Sequence, residues 1–238
     1  MERFIIAGKN NIESFLKNWF IPFLPLYVIG FLLKINYEGS FVTLFDDYGK
    51  AFLLIVVMQL ASIVLFYFIA ARGSFSRARF MLSNALPSYL TAFSCMSSTV
   101  TIPVTLEAAE KNTGNKPLAQ MAVPIMANVH LLGDSIGTPI LALTTMVLFM
   151  GVVPGFLEYL RFAFYFSTSM FAVSGIPGGG ILVVSSLLQS MFGFTAEMQG
   201  LIMTLYVLMD PFGTAANVMG DGALVIIVDK MLKKIGIR

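Results

Sequence analysis

The chain has 238 residues, 57% of them apolar and only 12% charged, and its mean hydropathy is +0.83. A soluble domain carries about 25% charged residues, so this composition excludes an ordinary water-soluble globule and indicates a membrane protein. The net charge of +2 gives no sign of a nucleic-acid partner, and the single cysteine, Cys95, excludes an internal disulfide and reads as a small buried apolar residue.

The first 17 residues lack the apolar core and small-residue cleavage site of a signal peptide, because Lys9, Glu13 and Lys17 interrupt the run. Charge-free stretches follow at residues 18–33, 51–71, 80–106, 117–133, 135–157 and 162–196. Most reach or exceed the roughly 20 residues that a spanning helix needs. Lysine and arginine collect on the cytoplasmic side of a membrane, and one topology sorts them. The N-terminus lies inside; helices cross at about 18–36 and return at about 48–71; a hairpin at about 77–112 enters and leaves on the cytoplasmic side. A helix then crosses at about 120–150, a second hairpin at about 160–194 enters from outside, and a last helix returns at about 200–227. Arg3, Lys9, Lys17, Arg72, Arg77, Arg79, Lys111, Lys116, Lys230, Lys233, Lys234 and Arg238 then lie inside, against Lys34, Lys50 and Arg161 outside.

The hairpins rest on what lies at the middle of two charge-free runs. The first centre, Ser94-Cys-Met-Ser-Ser-Thr-Val-Thr-Ile-Pro103, is polar and β-branched and ends in a proline, which removes a helical hydrogen bond. The second, Ser174-Gly-Ile-Pro-Gly-Gly-Gly180, puts four glycines and a proline into seven residues. Unwound backbone at membrane depth is tolerated only where protein buries it or water and solute reach it. Two broken helices entering from opposite sides form the inverted-repeat core of secondary transporters, with a site between the tips. The predicted fold class is therefore an all-α membrane protein with two re-entrant helical hairpins.

The last apolar run holds Asp210-Pro-Phe-Gly-Thr-Ala-Ala-Asn-Val-Met-Gly-Asp221. A charge at the bilayer centre costs roughly 3 kcal/mol on insertion scales, so such residues face a protein interior or a watery path. A transport site is the direct reading. Gln59 and Ser62 read as interhelical hydrogen-bond partners, with a role in packing and not in transport, Asp46 and Asp47 as an outer loop, and Glu107, Glu110 and Lys111 as a wet helix end.

With these motifs the chain resembles the dicarboxylate/amino acid:cation symporters, which include the excitatory glutamate transporters and the neutral amino acid exchangers. Ser97-Ser-Thr-Val-Thr-Ile-Pro-Val-Thr105 is similar to the serine-rich tip of that family's first hairpin, Gly175-Ile-Pro-Gly-Gly-Gly180 to its Gly-Val-Pro-Gly second tip, and Thr214-Ala-Ala-Asn-Val-Met-Gly-Asp221 to its final-helix pattern. Order and spacing agree as well, over roughly residues 18–238, which correspond to the family's fifth helix through its eighth. The resemblance divides the chain into residues 1–47, a segment with one scaffold-type helix, and residues 48–238, a transport-domain core. About four further N-terminal helices of the family have no counterpart. This chain is then a piece of a longer polypeptide, one half of a split transporter, or a degenerate copy, and a partner chain or a homotrimer would complete it.

The resemblance implies that Ser97, Ser98, Thr99 and Thr101 lie beside substrate, where half-helix N–H groups meet a carboxylate. It implies that Gly175, Ile176, Pro177 and Gly178 belong to an outer gate, and that Asp210, Gly213, Thr214 and Asn217 line the solute site. Asn217 and Asp221 would bind sodium, with His130 and Asp134 standing in the region of a further cation motif. Two departures matter. Gly213 stands where acidic-substrate members place an arginine, which implies a neutral amino acid in preference to glutamate or aspartate. His130-Leu-Leu-Gly-Asp134 replaces the motif Asn-Met-Asp-Gly-Thr, so a shifted sodium site, for which a short gap brings Gly137-Thr138 into register, and proton coupling through His130 and Asp134 one helical turn apart are both open. Tyr206 replaces a further aspartate of some relatives. An intramembrane serine hydrolase using Ser97 or Ser98 with His130 and Asp134 is the rival enzyme reading, and it lacks the Gly-x-Ser-x-Gly elbow. The expectation is a sodium-coupled symporter of a small amino acid or dicarboxylate, multi-pass, surrounded by lipid, and of bacterial inner-membrane type.

Overall fold

The structure, a computed structural model, describes residues 14, 18, 21–37, 41–171, 173 and 179–236, and among these it contains helices and turns and no strand. The helices are α1 (Ile21–Tyr37), α2 (Phe41–Ala70), α3 (Phe75–Cys95), α4 (Ser98–Thr113), α5 (Lys116–Val129), α6 (Leu132–Met150), α7 (Phe156–Met170), α8 (Gly179–Phe192) and α9 (Ala196–Lys234). Among the described residues three segments are long and apolar enough to cross a membrane: Asp46–Ala70, Lys116–Met150 and Ala196–Lys234.

The helix boundaries follow local chemistry. α4, α5 and α9 begin at Ser97, Asn115 and Thr195, whose side chains accept from Val100 N, Leu118 N and Met198 N. Such a cap is worth about 1 kcal/mol because it satisfies a donor that the first turn leaves free. α4 and α6 end at Gly114 and Gly151, both left-handed with φ of 65°, where a residue without Cβ carries no penalty.

The α3–α4 unit is an antiparallel pair: Asn84 Nδ2 donates to Asn112 Oδ1 at 2.8 Å and Asn112 Nδ2 to the Met81 carbonyl at 3.1 Å. The turn comes at Met96–Ser97, with Met96 left-handed (φ 51°, ψ 32°) and Ser97 extended. The turn precedes Pro103, which sits inside α4. A proline there leaves only the Thr99 carbonyl without its helical partner, and Thr99 lies at the exposed first turn. Asp46 and Asp47 also depart from expectation. They lie on α2, where Lys50 Nζ reaches Asp46 Oδ2 at 2.8 Å, one turn along. The predicted crossing at 120–150 is two helices, α5 and α6, broken at His130 and Leu131. The expected second tip, with Gly175, Ile176, Pro177 and Gly178, lies outside the described residues; its flanks α7 and α8 pack through Phe162 and Phe192, ring centroids 5.0 Å apart.

α9 is the axis of the molecule, with Gly213 through Ala223 buried on all sides. α2 packs against it and against α6 along one stripe, Ile55, Gln59, Ile63 and Tyr67, at four-residue spacing. Its opposite face carries Leu53, Val57, Leu60, Val64 and Phe68, exposed as a lipid-facing stripe requires. In lipid, apolar burial drives helices together weakly, and close contact comes from small residues. At Gly133 of α6 that contact is backbone to backbone, because a Cβ there would overlap the carbonyl of Gly213 on α9.

The charged groups sort to two ends. Lys230 Nζ donates to the Ala70 carbonyl, Lys233 Nζ to the Thr113 carbonyl at 3.2 Å, and Asn115 Nδ2 to Asp229 Oδ1 at 3.0 Å. The ends of α2, α4 and α9 therefore meet. At the other end Lys34 Nζ lies 3.5 Å from Glu197 Oε1, and Tyr48 and Thr145 share a hydrogen bond of 2.8 Å.

Candidate functional site

The polar residues of α9 meet the α5–α6 break half-way along the helix. α5 ends at His130, whose N–H bonds the Met126 carbonyl at 2.9 Å, and α6 begins at Leu132. The first N–H groups of α6 have no helical acceptor. Gly133 N finds one in Asn217 Oδ1 at 2.6 Å. Gln59 of α2 donates to the Gly133 carbonyl at 3.1 Å. Three helices thus converge on one glycine.

Asp134 is the centre of a second set of contacts. Asn217 Nδ2 donates to its Oδ2 at 2.7 Å, and the Tyr206 hydroxyl donates to its Oδ1. Gly180, at the start of α8, covers that contact so closely that a Cβ on it would overlap the Tyr206 hydroxyl and lie 3.1 Å from Asp134 Oδ1. On α9, Thr214 Oγ1 donates to Asp210 Oδ1 at 3.0 Å. Asp134, Asp210, Thr214 and Asn217 are all buried. Beside Gly213 the helices leave a cavity of about 10 Å³, lined by Gln59, Asp134, Thr138, Tyr206 and Asp210 among others.

His130 belongs to a different cluster. Its Nδ1 lies 3.0 Å from Asp221 Oδ1, and Gly220 makes room, since a Cβ there would stand 3.2 Å from His130 Nδ1. His130 and Asp134 are not one helical turn apart, because the break separates them and sends the imidazole toward Asp221 and the carboxylate toward Tyr206. A catalytic triad with Ser97 or Ser98 is not assembled, since both of its other members are bonded within these clusters.

The α3–α4 turn packs beside the same stretch of α9. Ala92, one turn before Met96, forms a buried cluster with Ala215 and Val218, and Phe93 meets Phe212 edge to face with centroids 5.0 Å apart. Ser97, Ser98 and Thr101 are buried, while Thr99 is exposed. The Thr101 hydroxyl turns back to the Ser97 carbonyl at 2.8 Å.

A helix pair whose serine-rich turn lies against a buried Asp-x-x-x-Thr-x-x-Asn-x-x-x-Asp helix matches the model of the sodium:dicarboxylate symporter family over residues 1–231. The chain belongs to that family. Members it is similar to include excitatory amino acid transporter 3 of Mus musculus, 29% identical over 76% of this chain and 34% of the relative. The serine/threonine transporter SstT of Acinetobacter baylyi is 26% identical over 90% of this chain and 54% of its own, and neutral amino acid transporter A of Homo sapiens is 25% identical over 85% and 38%. The chain thus spans from about a third to about half of these relatives' length. The relatives are transporters, not enzymes, and the symporter family and the apolar helices together make this a membrane protein.

The family's name implies sodium, and the residues expected for it, Asn217 and Asp221 with His130 and Asp134 in the region of a further cation motif, fall into two hydrogen-bonded sets. His130 pairs with Asp221, whereas Asp134 and Asn217 bond each other and Gly133. A hard cation selects oxygen ligands, and one Asp221 oxygen faces an imidazole nitrogen. This set does not fit a single sodium ion.

Gln59 makes the interhelical hydrogen bond that its place in an apolar run suggested, and Thr138, reached in the sequence only through a short gap, lines the cavity; sequence reasoning missed Gly180 as a cover over Asp134. Gly180 lies at the end of the glycine run, which was read as a helix break.

Proposed function

We propose that this chain carries the transport-domain part of a cation-coupled symporter, with sodium as the coupling ion, that moves a small neutral amino acid by alternating access. The observation that carries this reading is that the stretch of α9 holding Asp210, Gly213 and Thr214 packs half-way along the helix against the end of α3, through Ala92 on Ala215 and Val218, and against the α5–α6 break, through Gly133 on Asn217. Residues 48–238 are the moving core and residues 1–47 the static segment, and α3–α4 and α7–α8 are its re-entrant hairpins, closing over the solute near Asp210, Thr214 and Asn217. N–H groups at the start of α4 meet the solute carboxylate, as free donors at a helix N-terminus do. Gly213 offers no charge for a second carboxylate, which favours a neutral over an acidic solute. The names of the serine/threonine and neutral amino acid relatives support the same choice. Further helices come from a partner chain or from a longer polypeptide, in a trimeric assembly of the inner-membrane type.

The test is thermal stability of the purified protein against a panel of amino acids in sodium or choline chloride. A ligand at a hundred times its Kd stabilises by about 2.7 kcal/mol through mass action. Stabilisation by serine, threonine or alanine in sodium, reduced in choline and not produced by glutamate or aspartate, is the expected result. Tight binding of aspartate overturns the neutral assignment, and equal binding in both salts overturns sodium coupling.

A further inference from the structure

We propose that the corner where the α2–α3 turn meets the last turns of α9 binds one anionic phospholipid, with its phosphate among Arg72, Arg77 and Lys230 and an acyl chain along the outer face of α2. The site lies apart from the solute site and does not depend on what is transported.

Three cations from three elements converge there. Lys230 of α9 donates to the Ala70 carbonyl at the end of α2, which brings its ammonium to the turn that carries Arg72. Arg72 and Arg77, the latter in the first turn of α3, both act on Lys230 as like charges. The carboxylate that acts on Lys230, Asp229, is already bonded to Lys233 Nζ at 2.6 Å and to Asn115 Nδ2 at 3.0 Å. Among the described residues neither arginine is paired with a carboxylate, whereas Lys50 and Lys111 have Asp46 and Glu107 at 2.8 and 2.7 Å. The corner is therefore a concentration of positive charge that lacks its anion, and like charges held this close repel unless an anion is shared between them.

The donors suit a phosphate. Each guanidinium offers five N–H groups in a fork that matches phosphate oxygens, and an ammonium has three, of which Ala70 takes one. Arg72 also holds its place against local preference. Its backbone is left-handed, with φ of 55°, and its side chain is exposed. Glycine adopts that conformation at less cost, so a guanidinium stands where a plain turn would favour a glycine.

An apolar path leads from this corner, and it selects a lipid over a soluble anion. Gly73 N bonds the Phe68 carbonyl at 3.0 Å, and the Phe68 ring comes so near that its Cζ would lie 3.8 Å from a Cβ on Gly73. Phe68 in turn lines a shallow depression of about 450 Å³ with Leu60, Ala61, Val64 and Leu65, all exposed. From Leu60 to Phe68 this face runs about 12 Å along α2, away from the charges and into the span. Basic pockets at the ends of membrane helices bind anionic head groups, and here the head-group site and the apolar face adjoin.

The experiment measures binding of phosphatidylglycerol to the purified full chain in neutral detergent, by thermal shift and by native mass spectrometry. Phosphatidylcholine with the same acyl chains and glycerol 3-phosphate are the comparison ligands, and wild type, Arg72→Gln/Arg77→Gln and Arg79→Gln are the proteins. Wild type should retain phosphatidylglycerol and be stabilised by it, and by neither comparison ligand. The double variant should bind it roughly thirtyfold more weakly, from the usual contribution of a basic group near an anionic head group, with unchanged stability in detergent alone. Arg79→Gln removes a charge from the same helix that does not act on Lys230, and it should stay within about twofold of wild type. An Arg79→Gln loss as large as that of either corner arginine would overturn the site in favour of diffuse attraction to a charged surface. Equal stabilisation by glycerol 3-phosphate would replace the lipid with a soluble anion, and equal retention of phosphatidylcholine would remove the role of charge.

Discussion

Individual side chains in this protein are set by the need to satisfy polar groups away from water. Asp134 is one such group, and the Tyr206 hydroxyl and the Asn217 amide are its donors. Removing one partner of a buried hydrogen bond costs about 1–3 kcal/mol, because the group left behind keeps its desolvation penalty. Tyr206→Phe should therefore lower stability by about that amount in denaturant titration. The same substitution in an Asp134→Asn background should cost less, giving a coupling energy of about 0.5–3 kcal/mol in the double-mutant cycle. Additive effects would mean that the phenol and the carboxylate do not interact. At this scale the sequence was informative about identity and silent about pairing. Asp210, Thr214, Asn217 and Asp221 stood out as polar groups in an apolar helix. That His130 goes to Asp221 and Asn217 to Asp134 depends on contacts 91 and 83 residues apart along the chain, and no local pattern encodes them.

Helices make their closest contacts at glycines, and the same substitution has opposite consequences at different glycines. A Cβ on Gly213 has Gln59 Nε2 as its nearest neighbour at 4.0 Å. Glycine inside a helix is about 0.5–1 kcal/mol worse than alanine, so Gly213→Ala should stabilise the fold by about that much. At Gly133 the added carbon would overlap the Gly213 backbone, which cannot rotate away as a side chain can. Gly133→Ala should push α6 from α9 and lower stability by about 1–3 kcal/mol, with loss of the Asn217 bond. Thermal unfolding of the two variants side by side checks this; equal effects of either sign would refute the close contact. Gly180→Ala should separate Tyr206 from Asp134 and mimic Tyr206→Phe in the same assay. The sequence predicted that α3 and α4 form a hairpin, but placed too much weight on Pro103. A proline in the second turn of a helix disturbs only one carbonyl of the first turn, and the turn itself is made by left-handed Met96, a conformation that costs a non-glycine residue about 1–3 kcal/mol. The break between α5 and α6 had no proline at its centre to announce it. Gly133, just after that break, serves the approach of two backbones.

For the whole molecule the decisive question is orientation, and the sorting of charge gives an answer that the structure makes geometrical. Arg72, Lys111, Lys230 and Lys233 lie on or beside the helix ends that meet at Ala70, Thr113 and Asp229, while Lys34 and Lys50 lie toward the other end of the bundle, with Glu197 and Tyr48. α5 and α6 together cover 35 residues between these ends, about 52 Å of helix at 1.5 Å per residue, enough to cross a hydrocarbon core of about 30 Å. Lysine and arginine mark the cytoplasmic face, so the turn after α4 should lie inside and the turn after α6 outside. Lys111 and Val153 are both exposed beside those turns. With Cys95 replaced by alanine, Lys111→Cys should react with a membrane-impermeant maleimide only in inside-out vesicles, and Val153→Cys only in right-side-out vesicles. Labelling of both from the same face would mean that α5 and α6 do not form one crossing. Reversed sides would keep the crossing and invert the protein, placing the α3–α4 pair on the outer side and making α7–α8 the inner gate.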